Sequence, residues 1–466
     1  MLRHIAAQAK GRALACALAL SLALSCSAAP AAFADVRKAD IVYGQTVDAR
    51  GLSVAQCPSI DAEYAVVMDA EGTVYFERNA SSPTQIASIT KIMTGLVALD
   101  AVDAGLVSLD TPVTVSAEAA AVGESSAGLQ AGDVMDLGTA LTALLVPSGN
   151  DAAVAIAETV GAALLAAGAA SGDTAQDAFV AQMNATAAEL GCTDSVYENP
   201  HGLDFDAYAG NLHSTASDVA KVVRRAMQNE TFRAAVSQGD TVIEVERGGA
   251  PASISLETTD GFFDIYEHAI GVKTGFTALA GASFAGAANN GGKELYAIVI
   301  NSSSEAQRFQ DAMTLCEWVY EHEVSYPLAN STQTASMNGR DVPVVAEVAH
   351  TGWIDKTVKA TLSDPDAAAT IFDLNGNVSQ SLEFDEVSGN VHAGDKVGTI
   401  TFKQRNAVIA TMDLVACEDV AAPDFLEGVG VWWDRLWRGF SGQSQTAESV
   451  TLNQTPLVVD KTASAS

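Results

Sequence analysis

The sequence predicts an α/β (α+β) domain over residues 60–325, followed by a smaller all-β domain over 340–418. Three observations carry this. Strand-like runs lie at both ends of the first span (64–68 with 73–77, and 270–273 with 281–288), and segments of helical periodicity fill the interval. After Pro327 the texture changes to short alternating apolar runs at 358–362, 397–402 and 407–414, separated by the turn signals Asn375-Gly376 and Gly394-Asp395. Hydrophobic residues make up 48% of the 466-residue chain and charged residues 18%, enough apolar surface for a large core.

The N-terminus reads as a secretory signal. Arg3, Lys10 and Arg12 precede an apolar run over 13–24, and Ala32-Phe33-Ala34 supplies a small-x-small cleavage pattern, so cleavage is expected before Asp35. The run is too short to span a bilayer comfortably, which counts against an uncleaved anchor. Ala23-Leu24-Ser25 is a poor signal for lipidation at Cys26. Export would place the protein outside the cytoplasm, in the cell wall or on the outer face of the cytoplasmic membrane.

Residues 35–59 form an irregular lead-in. The first two strands are joined by Asp69-Ala70-Glu71-Gly72, a hairpin by turn chemistry. Helical segments follow at 89–98, 140–145 and 152–163, the last two separated by Pro147-Ser148-Gly149. The Ala/Gly-rich stretch 163–177 reads as a loose surface insertion. An amphipathic helix over 179–190 ends at Gly191. The strands 270–273 and 281–288 are neighbours, with 274–277 near their turn, and a helix over 310–320 closes the domain.

Beyond the β-rich domain, Phe425, Val429, Trp432, Trp433, Leu436, Trp437 and Phe440 fall on one face of a helix over 424–440, flanked by Arg435 and Arg438. Such a helix either lies in a membrane surface or packs on the second domain. Gly428 and Gly430 weaken it. Residues 441–466 are polar and expected to be disordered.

The formal net charge of -32, with no basic stripe, excludes nucleic acid as a partner. Cys57, Cys192, Cys316 and Cys417 remain after signal removal; they are far apart, and export permits disulfides while burial as free thiols serves equally. The seven scattered histidines show no metal spacing, so neither a metal nor a cofactor is implied.

Three short motifs carry chemistry. In Ser88-Ile89-Thr90-Lys91 the serine and lysine are spaced i, i+3 and share a helix face. A serine hydroxyl needs an adjacent base, and a lysine serves only if burial and nearby cations hold it neutral. Alone, this pattern reads better as a capping serine beside a solvated lysine. Ser148-Gly149-Asn150 adds a hydroxyl able to pass a proton and an amide able to hold a peptide group or fix the lysine; alone it is a polar inter-helix turn. Lys273-Thr274-Gly275 offers a cation and a donor for a carboxylate, with a glycine that lets a substrate backbone approach; alone it is a surface β-turn. The tripeptide Ser388-Gly389-Asn390 lies after Lys273 in a turn-like context and is set aside.

Taken in order, these motifs resemble the serine D-alanyl-D-alanine carboxypeptidases, the low-molecular-mass penicillin-binding proteins. Ala87-Ser88-Ile89-Thr90-Lys91-Ile92-Met93-Thr94, Leu144 to Ala153 and Gly271-Val272-Lys273-Thr274-Gly275-Phe276-Thr277 match the family's three motifs. The segments 179–191, Asn199-Pro200-His201-Gly202-Leu203 and 213–220 are similar to further family segments, and Gly394-Asp395-x-Val397-Gly398 resembles a family turn more weakly. The likeness covers about 60–325. It implies a penicillin-binding/β-lactamase-like transpeptidase fold.

By position the resemblance implies Ser88 as nucleophile, Lys91 as base, Ser148 as proton relay and Asn150 as amide-binding residue. Lys273 and Thr274 would hold the substrate's terminal carboxylate, with Gly275 and Phe276 beside the bound chain, Ser88 and Phe276 N–H groups in the oxyanion hole, and Arg308 near the carboxylate. The substrate implied is a peptidoglycan stem peptide ending in D-Ala-D-Ala, and β-lactams would acylate the same serine. A D,D-endopeptidase that cuts crosslinks uses the same residues. A class A-type β-lactamase would need a glutamate for deacylation; Glu198-Asn199 continues instead as Pro-His-Gly-Leu. A non-catalytic wall-binding relative is disfavoured by the intact nucleophile, base and relay.

Overall fold

A computed structural model describes residues 40–42 and 57–458. The signal segment, most of the lead-in and residues 459–466 lie outside the described residues. The central element is a six-stranded sheet in the order Asp40–Val42, Val74–Arg78, Tyr64–Asp69, Lys293–Ser302, Gly281–Asn290, Ala269–Thr277. Strands from the two ends of the domain meet in its middle, where Val67 pairs with Ala297 and Met68 with Tyr296 in antiparallel register.

Both faces of this sheet are covered, and the strand period of two sorts the side chains. Val66, Met68, Tyr296, Ile298 and Ile300 enter one core with the helices, while Ala65, Val67, Leu295, Ala297 and Val299 enter another beneath the helix Glu305–His322. Helices Lys91–Asp103, Leu137–Leu145, Asn150–Ala167, Ala175–Glu189 and Ala216–Ala226 form the helical layer. Lys91–Asp103 is buried nearly all round, as a central helix must be. Asn150–Ala167 is long and apolar enough to cross a membrane, yet most of it is core.

The sequence expectations hold for the first hairpin, for the helices around Pro147 and for the paired strands after residue 269. Two differ inside this domain. Residues 274–277 belong to the strand Ala269–Thr277 and not to its turn, because Gly275 pairs with Ser283 and Phe276 with Ala282. The stretch 163–177 is no loose insertion. The helix runs to Ala167, stops at Gly168 with φ 65°, and the next begins at Thr174, whose side chain and Asp177 cap each other's backbone. The hairpin Thr241–Arg247 and Ala250–Leu256, in a small sheet with Pro112–Thr114 and Val134–Asp136, was not foreseen.

The C-terminal part is all-β. Its main sheet runs Val378–Phe384, Lys396–Gln404, Ala407–Ala416, Thr357–Leu362, Ala346–Ala349, Val450–Thr451. The strand Glu323–Pro327, which leaves the last helix of the first domain, pairs with Ala368–Phe372. Phe372 packs edge-on against Tyr75 and Trp318 and so ties this part to the first.

The helix Phe425–Ser441 forms as expected, with Asp424 and Glu427 in a reciprocal cap. It does not pack its apolar face on the β domain: Phe425, Trp432, Trp433, Trp437 and Phe440 are all more than half exposed. Arg435 instead tethers the helix by donating to the carbonyls of Thr351 and Trp353 at 2.6 and 2.9 Å. The expectation of a disordered tail from 441 fails for residues up to 458. Val450 pairs with Glu347, and buried Asn453 donates to Leu328 O and Gln380 Oε1 while accepting from Asn330 N. A polar composition concealed one well-satisfied side chain that anchors the return. Cys192, Cys316 and Cys417 are buried free thiols.

Candidate active site

Ser88 sits in a single 3₁₀ turn, Ala87–Thr90, that leads directly into the helix Lys91–Asp103. The i, i+3 spacing does what the sequence suggested: Lys91 Nζ donates to Ser88 Oγ at 2.8 Å. Its second acceptor is the His201 carbonyl at 3.0 Å. Lys91 is fully buried, and burial, reinforced by the Lys273 cation and opposed by Asp151, pushes its ammonium well below the ordinary lysine range. A lysine in that setting can be neutral and accept a proton.

The segment around His201 is pressed onto the nucleophile turn. Thr94 Oγ1 donates to Pro200 O at 2.6 Å, and Asn199 Oδ1 accepts from the N–H groups of His201 and Gly202. Gly202 has φ +92°, and a Cβ there would lie 1.9 Å from Ala87 O. Burial and the Lys91 charge depress the His201 ring to about 3, so it stays neutral, and its Nδ1 accepts from Leu203 N at 3.2 Å.

Ser148 and Asn150 lie at the break between two core helices. Ser148 adopts φ +65° and Gly149 is the cap residue of Asn150–Ala167. Asn150 Nδ2 donates to Gly123 O at 2.9 Å. Asp151 accepts from Ala127 N, Leu129 N and Ser126 Oγ, so the loop 123–129 hangs on this turn. The buried Ser148 Oγ and Asn150 Oδ1 have no hydrogen-bond partner among the described residues. Polar atoms left in that state at a cleft suit groups awaiting a ligand.

The strand Ala269–Thr277 forms the opposite wall. Gly275 is needed because a Cβ would meet Ile86 O at 2.9 Å, at the start of the nucleophile turn. Thr274 Oγ1 shares a 2.8 Å hydrogen bond with Thr259 Oγ1. Lys273 is buried and donates to Thr274 O at 3.0 Å; burial first, then the Arg308 charge, lowers it to about 7, against the pull of Asp260. Arg308 is 4% exposed, its Nη1 reaching Gly275 O at 3.4 Å and its Nη2 reaching Glu305.

Ser88, Ser148, Asn150, Thr274, Gly275, Phe276 and Arg308 line one cleft of about 350 Å³. Lys273 lies behind the lining and not on it. Glu124, Ser125, Leu203, Phe205, Thr259 and Glu305 complete the walls.

The sequence family described as D-alanyl-D-alanine carboxypeptidase matches residues 52–304. The chain belongs to that family. As a serine-type D-Ala-D-Ala carboxypeptidase it is a hydrolase. It is 26% identical to the D-alanyl-D-alanine carboxypeptidase DacF of Bacillus subtilis over 78% of this chain and 87% of the relative. It is 31% identical to a D-alanyl-D-alanine carboxypeptidase of a Streptomyces species, over 59% of this chain and 92% of the relative. Among solved structures, the Streptomyces K15 DD-transpeptidase superposes with a TM-score of 0.51 at 29% identity, covering 57% of this chain and 98% of that one. DacD from Francisella tularensis shares the fold over 78% of this chain, with a TM-score of 0.53 at 22% identity.

The matched span of the carboxypeptidase ends before Arg308, so its presence in the cleft rests on the geometry alone. Sequence reasoning missed His201, whose carbonyl holds Lys91, and Asp151, which carries the loop 123–129. Both stand inside or beside the motifs quoted above. It also missed Asp260, a buried carboxylate whose only signal was its place 13 residues before Lys273.

Proposed function

We propose that this carboxypeptidase removes the terminal D-alanine from peptidoglycan stem peptides through an acyl-enzyme on Ser88. The observation that carries the reading is the 2.8 Å hydrogen bond between Ser88 Oγ and a fully buried Lys91. In its neutral form Lys91 takes the hydroxyl proton as Ser88 Oγ bonds to the carbonyl carbon of the penultimate D-alanine. The C–N bond then breaks, and the departing amine receives a proton through Ser148. Backbone N–H groups of Ser88 and Phe276 stabilise the oxyanion, and Asn150 holds the peptide amide. Water attacks the ester, the same lysine serves as base, and the shortened peptide leaves.

Thr274 and Arg308, with Lys273 behind them, receive the substrate's carboxylate. That buried guanidinium at the cleft favours a leaving residue whose α-carboxylate is free beside the scissile bond, as in a D-Ala-D-Ala terminus. β-Lactams, with a strained amide and a carboxylate, acylate the same serine. The signal pattern supports export, and the exposed aromatic face of Phe425–Ser441 supports contact with a membrane surface outside the cytoplasm.

The test is D-alanine release from diacetyl-Lys-D-Ala-D-Ala by the wild type and by Ser88→Ala. The substitution should lower the rate by about 10⁴-fold or more and abolish covalent labelling by a fluorescent penicillin, with the thermal transition retained. Release at the original rate by Ser88→Ala would overturn the assignment.

A further inference from the structure

The cleft end formed by Thr274 and Arg308 has a buried carboxylate behind it. Asp260 is 6% exposed, Lys273 1% and Arg308 4%. Its place is set by its two neighbours. Thr259 on one side bonds Thr274, the residue after Lys273, at 2.8 Å. Gly261 on the other lies against the ring of Phe309, the residue after Arg308, so closely that a Cβ would stand 3.0 Å from it. These contacts fix the backbone on either side of Asp260 against the strand that carries Lys273 and the helix that carries Arg308.

Its own hydrogen bonding is incomplete. Oδ1 accepts from Phe262 N at 2.9 Å, and the Asp260 N–H donates to Thr258 Oγ1 at 3.2 Å. Oδ2 is buried with no hydrogen-bond partner among the described residues. A buried carboxylate oxygen without a donor is costly unless nearby charge compensates it. Lys273 and Arg308 both act on Asp260 with that sign, while burial raises its carboxyl to about 6.

We propose that Asp260 is a positioning residue whose carboxylate keeps Lys273 charged beside Arg308, just behind the cleft end, until a substrate carboxylate arrives. The inference rests on the carboxylate-recognition reading above. Two buried cations without an anion repel each other, and the lysine is the one able to shed its proton. With Asp260 ionised the empty trio carries one net positive charge, which the substrate neutralises. Without it, Lys273 becomes neutral and the site keeps one cation where it had two. The other charged groups bearing on the trio are Lys91 on the nucleophile helix, which repels Lys273, Glu305 beside Arg308, and exposed Asp264 just after the loop.

The experiment compares full-length wild type, Asp260→Asn and Asp260→Glu on diacetyl-Lys-D-Ala-D-Ala and on its C-terminal amide, from about pH 5 to pH 10. Asp260→Asn should raise KM for the free acid about tenfold with kcat changed less than about twofold, and should move the alkaline limb for the acid down by about one pH unit. Amide turnover on the plateau above the acid limb should be unchanged, which also reports an intact Ser88 site, and Asp260→Glu should recover part of the acid KM. Equal losses on acid and amide, or an unmoved alkaline limb, would refute the role. A wild type that treats acid and amide alike would instead bring down the carboxylate reading, and this inference with it.

Discussion

Gly202→Ala should disable the enzyme without substituting any residue of the three motifs. The added Cβ would stand 1.9 Å from Ala87 O, where an ordinary contact begins near 3.4 Å, so the two backbones must separate by roughly 1.5 Å. Neither can do so freely. Ala87 already has φ +47° at the start of the turn that carries Ser88, and His201 O holds Lys91 at 3.0 Å. Gly202 itself has φ +92°, a conformation that disfavours alanine by about 1–2 kcal/mol. A misplacement of about 1 Å near reacting atoms lowers rates about 100-fold. The expected result is a fall in kcat/KM for D-alanine release of about 100-fold or more, an equal fall in the penicillin acylation rate, and a loss of about 1–3 kcal/mol in stability. The assay pairs amine release with a urea titration monitored by fluorescence. Wild-type kinetics in Gly202→Ala would mean that the 199–203 segment does not position the Ser88–Lys91 pair.

Further outcomes follow from the buried lysines and from the C-terminal return. Because Lys91 must be neutral to act as base, kcat/KM should rise with pH through its depressed pKa, and Lys91→Arg should lose that activity at every pH. Lys273 is lowered to about 7, so KM for a free-acid substrate should rise as pH passes above that value. The same group binds fewer protons folded than unfolded between about 7 and 10.5, so its contribution to stability rises across that window; Lys273→Met should flatten the rise in a pH series of urea midpoints. Replacing Trp432, Trp433 and Trp437 with alanine should abolish co-sedimentation with phosphatidylglycerol/phosphatidylcholine vesicles while D-alanine release persists; a wild type that fails to sediment would remove the membrane assignment. Asn453→Ala should lower stability by about 1–3 kcal/mol and expose residues 442–458 to proteolysis, with activity unchanged.

The fold was legible where pattern and packing agree. The strands Tyr64–Asp69 and Lys293–Ser302 read as strands because β-branched and apolar residues recur there, but nothing local says that they are neighbours across more than 200 residues. The Ser88–Lys91 contact was legible because helical geometry alone brings i and i+3 together. The second partner of Lys91, the His201 carbonyl, was not, since a backbone acceptor leaves no side-chain signature. The return of residues 442–458 was hidden for a related reason: its order rests on backbone pairing with Glu347, Ala346 and Val345 and on one buried amide, Asn453, inside a polar stretch that composition assigns to disorder.

Lys273 shows why a motif and its geometry must be weighed separately. Read as a sequence, Lys273-Thr274 offers an exposed cation and a hydroxyl. In the fold only the hydroxyl is on the cleft lining; the ammonium is buried beside it, donating to Thr274 O at 3.0 Å with Thr274 Oγ1 at 3.5 Å. The cation on the lining is Arg308, brought from a different helix and held by Gly275 O and Glu305. A guanidinium holds its charge more firmly than a buried ammonium. On the proposed carboxylate reading, Arg308 and Thr274 would meet the carboxylate, while Lys273 adjusts the field beside them; its repulsion lowers Lys91 further. Lys273→Met should therefore act on two observables, weakening carboxylate binding and moving the acid limb of Lys91 to higher pH, because removing a neighbouring cation lets Lys91 hold its proton longer.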